Sequence, residues 1–171
     1  MKYVMYGGGY QAKNVLEVLS SSNHQLLAIF DDTKNKISPF PGIQIISSMK
    51  EREIIFEAHQ SEELGFVVAI GNPNAISRLK FSAEFLKNGL VPLSVISSHA
   101  YISDDAVVGL SAQIMPGAVI MRDVLIENNC IVLSRANISH DCILKEGCEV
   151  GPGATLTGCV EISELVTIGA G

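Results

Sequence analysis

The sequence predicts two structural classes in one chain, a small doubly wound α/β sheet over residues 1–97 and a parallel β-helix over residues 98–171. Two observations lead to this prediction. Upstream of about residue 98, strand-like and helix-like segments alternate, which is typical of a parallel sheet. From Ile102 onward every sixth residue is aliphatic, and a period of six fits neither an α-helix nor a simple alternating strand.

The first half contains the segments expected of a doubly wound sheet. Aliphatic and aromatic runs predict strands, amphipathic runs predict helices, and Gly and Pro residues separate them. In chain order we expect a strand over 2–6, a helix over 12–19, a strand over 26–30, a loop over 39–42, a strand over 66–70, a helix from 74 or 75 to 87 and a short strand over 93–96. The boundary between the halves then falls near residues 97–99.

Two columns of residues define the second half. The aliphatic column is Ile102, Val108, Ile114, Ile120, Ile126, Val132, Ile138, Leu144, Val150, Leu156, Ile162 and Ile168. Four residues after each position, up to residue 166, stands an Ala, Cys or Val. A β-helix with three flat faces of about six residues explains both columns, because large residues fill the interior and small ones fit where the chain turns. Residues one coil of about 18 residues apart should therefore stack.

The stacking predicts the environment of the cysteines. Cys130 should lie over Cys148, and both should be small buried hydrophobic residues, as should Cys142. All four cysteines lie in the last quarter of the chain without a CxxC pair. The sequence therefore indicates neither a disulfide framework nor a zinc site.

Composition argues against several classes of function. The chain has 171 residues and a formal net charge of −6, which gives no electrostatic attraction for the phosphate backbone of nucleic acid. Its apolar runs are far shorter than the ~20 residues that a membrane helix needs. The N-terminus lacks the apolar region and cleavage site of a signal peptide. We therefore expect a cytoplasmic protein that binds neither nucleic acid nor membrane.

A glycine triplet follows the first predicted strand. Gly7, Gly8 and Gly9 stand where a βα turn lets backbone N–H groups approach a phosphate. Asp31 and Asp32 end the second predicted strand, where a carboxylate can accept a hydrogen bond from a ribose or a base. The GxGxxG pattern is incomplete, so the glycines equally fit a tight turn without a ligand. If a ligand binds, the short domain favours a mononucleotide or nucleotide sugar over NAD.

The predicted β-helix carries His140, followed by Asp141 and expected to point outward near a turn. An outward His beside a carboxylate can act as a general base near neutral pH. A spacing of 18 places Arg122 one coil below and Gly158 one coil above. A glycine there can offer its N–H to a developing oxyanion. An ordinary surface histidine is the alternative interpretation.

The combination resembles the bacterial family of sialic acid O-acetyltransferases and nucleotide-sugar N-acetyltransferases, hexapeptide-repeat acyltransferases with an N-terminal Rossmann-like domain. The residues that carry the resemblance are Tyr6-Gly7-Gly8-Gly9 followed by Ala12-Lys13, Phe30-Asp31-Asp32, Ala69-Ile70-Gly71-Asn72, His140-Asp141-Cys142, Gly151-Pro152-Gly153-Ala154 and Gly158. By this resemblance the β-helix is left-handed and the protein is a homotrimer with active sites between neighbouring subunits.

The resemblance also implies an activity, namely transfer of an acetyl group from acetyl-CoA, without a metal, to a nucleotide-linked amino sugar or sialic acid in surface glycan biosynthesis. His140 would be the general base, Asp141 would tune it, and Gly158 would hold the thioester oxygen. The residues implied in binding the nucleotide sugar are Gly7, Gly8, Gly9, Asp31, Asp32 and Asn72. Those implied in contacting acetyl-CoA are Glu149, Gly158, Gly169 and Ala170.

The chain departs from the family pattern at several positions. Tyr10 and Gln11 replace residues of a Gly-Gly-His motif, and Leu133 stands where an Asn is common. A second His of the family, associated with the acetyl-group site, is Glu149 here. The chain ends at Gly171 in mid-coil, where relatives continue. A truncated chain, a short natural variant and a degenerate enzyme would all look like this.

Three hypotheses of function stay open at this point. The first is the acetyltransferase. The second is a catalytically impaired trimeric protein that binds a nucleotide sugar or serves as a scaffold. The third is transfer of a different acyl group, since nothing in the sequence fixes the length of the donor chain.

Overall fold

The computed structural model describes residues 1–59 and 61–171. The N-terminal part is a five-stranded parallel sheet in the order β3-β2-β1-β4-β5, connected by three helices. The elements are β1 (Lys2–Tyr6), α1 (Tyr10–Leu19), β2 (Gln25–Phe30), β3 (Ile45–Ile46), α2 (Met49–Ala58), β4 (Leu64–Val68), α3 (Ala75–Lys87) and β5 (Val91–Pro92). In this doubly wound order β1 lies between β2 and β4, so the strand order reverses direction beside β1.

The central strand β1 supplies side chains to both faces of the sheet. Tyr3 and Met5 pack on the face that carries α1, whereas Val4 and Tyr6 pack on the opposite face with aromatic residues from α2 and α3. This alternation is the period of two expected of a strand. Both faces are apolar because helices or the second domain cover them, as in other parallel sheets.

The structure corrects the predicted elements in three places. Helix α2 and strand β3 were not expected, because α2 has a weak apolar pattern and Arg52 is its one fully buried residue. Strand β4 lies two residues earlier than the predicted 66–70. The single strand expected over 93–96 is two strands, of which Val91–Pro92 joins the sheet and Val95–Ile96 joins the second domain.

The C-terminal part is a three-sided parallel β-helix of two-residue strands. Its strands are β6 (Val95–Ile96), β7 (Tyr101–Ile102), β8 (Val107–Val108), β9 (Gln113–Ile114), β10 (Val119–Ile120), β11 (Leu125–Ile126), β12 (Ile131–Val132), β13 (Asn137–Ile138), β14 (Ile143–Leu144), β15 (Glu149–Val150), β16 (Thr155–Leu156), β17 (Glu161–Ile162) and β18 (Thr167–Ile168). Each strand pairs with the strand three positions later, as Val119 pairs with Tyr101 and Asn137. Pairing begins at Val95, shortly before the predicted start at residue 98.

The interior and the corners follow the six-residue period. The predicted aliphatic column forms a continuous core, together with buried Ala and Cys residues of the second column. The Sγ atoms of Cys130 and Cys148 stack 3.7 Å apart, and Cys142 is buried, as predicted. From Ser111 to Gly171, every sixth residue has a positive φ, so the same left-handed corner recurs along the helix.

One face of the β-helix is covered by the α/β domain. This face consists of β6, β9, β12, β15 and β18. Gln113 on β9 donates a 2.8 Å hydrogen bond to the carbonyl of Val68, and Met115 and Leu133 pack into the core beside α1. None of the helices in the described part of the chain is long and apolar enough to cross a membrane.

Candidate functional site

A cavity of about 530 Å³ opens at the carboxyl ends of β1, β2 and β4. It lies beside the point where the strand order reverses, which is where doubly wound sheets bind ligands. The loops after the three strands supply Gly7, Gly9 and residues 31–33 and 69–72 to its wall, whereas Gly8 does not line it. Its volume falls in the range of small-molecule sites.

The glycine loop after β1 is held in a close approach to β4. Gly7 has a φ of +96°, and a Cβ at this residue would lie 2.7 Å from the carbonyl oxygen of Ala69. Only glycine fits this backbone and this space. Gly9 is the N-cap of α1, and because it has no side chain it cannot accept a hydrogen bond from the N–H groups of the first turn. The first turn of α1 therefore keeps N–H groups that can bind an anion.

Asp31 organises the glycine loop. Its carboxylate accepts hydrogen bonds from the N–H of Gly8 at 2.8 Å and of Thr33 at 3.0 Å, and it forms an ion pair with Lys36 at 2.6 Å. Burial acts to raise the pKa of Asp31, but these hydrogen bonds outweigh it and lower the pKa to about 2. The carboxylate that the sequence predicts as a ligand for ribose is thus engaged with the protein.

Asp32 is the more open of the two aspartates. Its side chain is 62% exposed and accepts hydrogen bonds from Tyr6 and Arg52, each at 2.6 Å. The hydrogen bond from Tyr6 is the main cause that lowers the pKa of Asp32. Arg52 comes from α2, so sequence reasoning missed it together with its helix. Asp32 is therefore held in place while part of its carboxylate faces the cavity.

Glu149 enters the same cavity from the β-helix. It is the first residue of β15 on the covered face, and it is 7% exposed. Its Oε2 accepts a 2.8 Å hydrogen bond from the N–H of Asn72. Burial raises the pKa of Glu149, and the nearby Arg78 guanidinium and the Asn72 N–H oppose that rise. The structure thus groups Glu149, predicted to contact acetyl-CoA, with the residues predicted to bind the nucleotide sugar.

Arg78 fastens the two domains together. This residue of α3 is 1% exposed, and its guanidinium donates hydrogen bonds of 2.6–2.9 Å to the carbonyls of Ile70, Asn129 and Gly147. Two of these carbonyls belong to a corner of the β-helix, and the third belongs to the cavity loop. Its Nη1 also lies 3.9 Å from Oε2 of Glu149. No sequence pattern indicates this role, because the partners are distant in the chain.

His140 lies on the corner between β13 and β14. Its Nδ1–H donates to Oδ2 of Asp141 at 2.8 Å, and its side chain is 61% exposed. Asp141 occupies the left-handed corner position with a φ of +58°. The ring packs against Gly158, where a Cβ would lie 2.5 Å from Cε1. Among the described residues, the N–H of Gly158 forms no backbone hydrogen bond. Gly158 thus lies against His140 from one coil further along, as the spacing of 18 residues predicts.

The remaining predicted site residues lie on other corners. Gly169 and Ala170 follow β18 and pack against Gly151, at the corner between the covered face and the face of β7, β10, β13 and β16. In the described chain, His140 does not line the cavity. One copy of the chain therefore holds the predicted catalytic residues and the predicted nucleotide-sugar residues at separate places.

Two known families match the chain. Residues 2–81 match the PglD N-terminal domain, and residues 123–158 match the bacterial transferase hexapeptide, a unit of six repeats. The two matches lie in the two structural domains, in the order that the predicted resemblance requires.

Solved structures show the same fold. The acetyltransferase domain of PglB from Neisseria gonorrhoeae FA1090, in complex with acetyl coenzyme A, is 22% identical with a TM-score of 0.78, covering 99% of this chain and 85% of that chain. A histidine variant of perosamine N-acetyltransferase from Caulobacter crescentus, in complex with CoA and GDP-perosamine, is 23% identical with a TM-score of 0.68, covering 100% and 87%.

A third structure, WeeI from Acinetobacter baumannii AYE, is 20% identical with a TM-score of 0.77, covering 94% of this chain and 74% of that chain. These likenesses confirm the predicted fold, a Rossmann-like domain followed by a left-handed β-helix of hexapeptide repeats. The two family matches bear out both parts of the predicted resemblance, the N-terminal domain and the hexapeptide repeats.

Proposed function

Since the chain joins a PglD N-terminal domain to bacterial transferase hexapeptide repeats, we propose that it transfers an acetyl group from acetyl-CoA to a nucleotide-linked amino sugar or sialic acid in surface glycan biosynthesis. The observation that supports this most strongly is His140, which is held by Asp141 and packed against the Gly158 backbone. Structural neighbours with both domains are an acetyltransferase bound to acetyl coenzyme A and one bound to GDP-perosamine.

The cavity of the α/β domain binds the nucleotide sugar. The first turn of α1 after Gly9 receives the phosphates, because its N–H groups carry the positive end of the helix dipole. Asp32 and Asn72 contact the remainder of the nucleotide sugar from the cavity wall. Asp31 contributes through Gly8, whose backbone it fixes.

His140 performs the proton transfer. Because its Nδ1–H donates to Asp141, Nε2 is left to accept a proton from the attacking group of the sugar. The acceptor atom forms a bond to the acetyl carbonyl carbon, and the carbon–sulfur bond of the thioester then breaks. The imidazolium gives the proton to the departing CoA thiolate. The N–H of Gly158 binds the oxyanion, and Gly169 and Ala170 contact the CoA arm.

The active form is a homotrimer in which His140 of one copy faces the cavity of another copy. An apolar stripe of Val107, Leu125 and Ile143 runs along the outer face of β8, β11 and β14, and Val107 is 59% exposed. His140 lies on the corner at the edge of this face. A neighbour that covers the stripe therefore also reaches the His140 corner, and a cyclic trimer repeats this contact three times.

The experiment is CoA release by the purified protein, followed with a thiol reagent. The acceptors are a panel of nucleotide-linked amino sugars and sialic acid, with acetyl-CoA and longer acyl-CoA donors. We expect release that depends on acceptor and is fastest with acetyl-CoA. If the protein binds a nucleotide sugar but releases no CoA, the non-catalytic binding or scaffold function replaces this proposal. Since acetyl-CoA is a cytoplasmic metabolite, we place the reaction in the cytoplasm.

A further inference from the structure

Glu149 lines the cavity, and the two contacts of its carboxylate use the same oxygen. The hydrogen bond from Asn72 and the approach of Arg78 both involve Oε2. Within the described part of the chain Oε1 makes no hydrogen bond or ion pair, so it is open to a ligand. The side chain is nine-tenths buried and lines the cavity wall. A buried carboxylate is poorly solvated by water. A cation that reaches its open oxygen is therefore bound more strongly than it would be by an exposed carboxylate.

Arg78 does not neutralise Glu149 by direct contact. Its three short hydrogen bonds go to the carbonyls of Ile70, Asn129 and Gly147, and the distance to Glu149 is the longer 3.9 Å. The N–H donors of Arg78 are therefore used by backbone carbonyls. Its interaction with the Glu149 carboxylate is an electrostatic attraction over the longer distance.

The other charged groups of the cavity are already paired. Lys36 forms its ion pair with Asp31 at 2.6 Å, and Asp32 is paired at 2.6 Å with Arg52. Among its described lining residues, the cavity wall thus carries three carboxylates and one ammonium group. Of the three carboxylates, that of Glu149 has the longest distance to a cationic partner.

We propose that Glu149 binds the ammonium group of an amino sugar and thereby makes the protein select amine acceptors over hydroxyl acceptors. This inference rests on the proposed function and narrows its substrate class to nucleotide-linked amino sugars. An ammonium group donates charge-assisted hydrogen bonds to Oε1, whereas a hydroxyl offers a neutral one.

Acetyl transfer to an amine bound in this way accounts for every bond and proton. The ammonium group first releases one proton to solvent, and the neutral amine attacks the acetyl carbonyl carbon. A carbon–nitrogen bond forms and the carbon–sulfur bond breaks. His140 accepts the second proton from nitrogen and passes it to the CoA thiolate. The products are an N-acetylated sugar and free CoA, with one proton left in solution.

The test compares acceptors that differ only in the reacting group. Calorimetry and CoA release are measured with GDP-perosamine and GDP-rhamnose, with the corresponding pair linked to UDP, and with sialic acid. The variants are Glu149→Gln, which keeps an oxygen for the Asn72 hydrogen bond, and Glu161→Gln as control. Glu161 is likewise the first residue of a strand but is exposed and outside the cavity. Circular dichroism melting checks that each variant is folded.

We expect the unmodified protein to bind the amino member of a pair at least about tenfold more tightly than the hydroxyl member. Glu149→Gln should lose most of this preference while its affinity for the hydroxyl member stays unchanged, and Glu161→Gln should keep it. Equal affinities in the unmodified protein would overturn the inference whether or not the variant folds, and so would acetylation of sialic acid at the rate of the amine.

A different outcome would contradict the proposed function itself. If none of these nucleotide sugars binds and none stimulates CoA release, both proposals are wrong. If acetylation occurs but Glu149→Gln retains the full preference for the amine, the acetyltransferase proposal stands and the role of Glu149 is wrong.

Discussion

The imidazole of His140 lies directly against Gly158, one coil further along the β-helix. A Cβ at residue 158 would lie 2.5 Å from Cε1 and 2.6 Å from Nε2 of the ring. The absence of a side chain at residue 158 thus allows the ring to rest on the backbone. The backbone conformation of Gly158 does not require a glycine, because its φ is not positive. Glycine is required here because a larger residue would collide with the His140 ring.

Gly158→Ala should lower kcat strongly and leave stability nearly unchanged. The added methyl group pushes the His140 ring from its place, and a misplacement of about 1 Å in a catalytic group costs about 100-fold in rate. The corner is exposed, so folding tolerates the shift. CoA release measures kcat, and thermal melting checks the fold. Thr155→Ala, an exposed change in the same coil, is the control. A variant with the unmodified rate would contradict the role of this contact.

Arg78→Met should destabilise the protein by about 3–5 kcal/mol. The substitution removes three hydrogen bonds that join α3 to the cavity loop and to the β-helix, and it removes the positive charge 3.9 Å from the buried carboxylate of Glu149. Chemical denaturation measures the free energy of unfolding. Lys87→Met on the exposed end of the same helix is the matched control. Equal unfolding midpoints for the two variants would show that Arg78 does not fasten the domains.

Asp31 should contribute stability that disappears in acid. Its folded pKa is lowered from the ordinary value of 3.8 to about 2, so the folded state binds the proton less readily than the unfolded state. The contribution is complete above the unfolded value and is lost as the pH falls through the folded one. The difference in unfolding free energy between the unmodified protein and Asp31→Asn should therefore shrink as the pH falls below about 4.

Two further observations complete this test. Asp104→Asn changes an exposed carboxyl and should show no comparable pH dependence. A difference between the unmodified protein and Asp31→Asn that stays constant down to pH 2.5 or so would mean that the charge of Asp31 does not hold the glycine loop.

Leu125→Glu should dissociate the proposed trimer. The substitution places a charge in the middle of the apolar stripe, where a neighbouring copy would bury it without a partner. Light scattering should give the mass of three chains for the unmodified protein and of one chain for the variant. CoA release should fall with the mass, since His140 of one copy serves another copy. Asn137→Glu on a different face is the control, and a monomeric unmodified protein would contradict the trimer.

The six-residue period made the second half predictable. The aliphatic column and the corners repeat locally, so counting along the chain places Cys130 on Cys148 and His140 beside Gly158. The α/β half offered less information. Helix α2 was missed because its residues are mostly exposed and Arg52, its buried residue, is charged.

Contacts between the domains were beyond the reach of sequence patterns. Arg78 binds carbonyls 51 and 69 residues away, and any residue type can supply a backbone carbonyl. Glu149 stands at a position that the family resemblance assigns to the acetyl group, yet packing against Asn72 places it in the cavity of the α/β domain. The glycine loop and Asp31 were recognised as a group, but the bond between Gly8 and Asp31 required the structure.

The most direct measurement of the central claim is the rate of CoA release by the unmodified protein and by His140→Asn with the same nucleotide-linked amino sugar. If His140 is the general base, the unmodified protein releases CoA and the variant loses about 100-fold or more in kcat, with unchanged binding of the sugar nucleotide. A variant that retains the full rate would contradict the assignment of His140, and an unmodified protein that binds the acceptor without releasing CoA would contradict the enzyme itself.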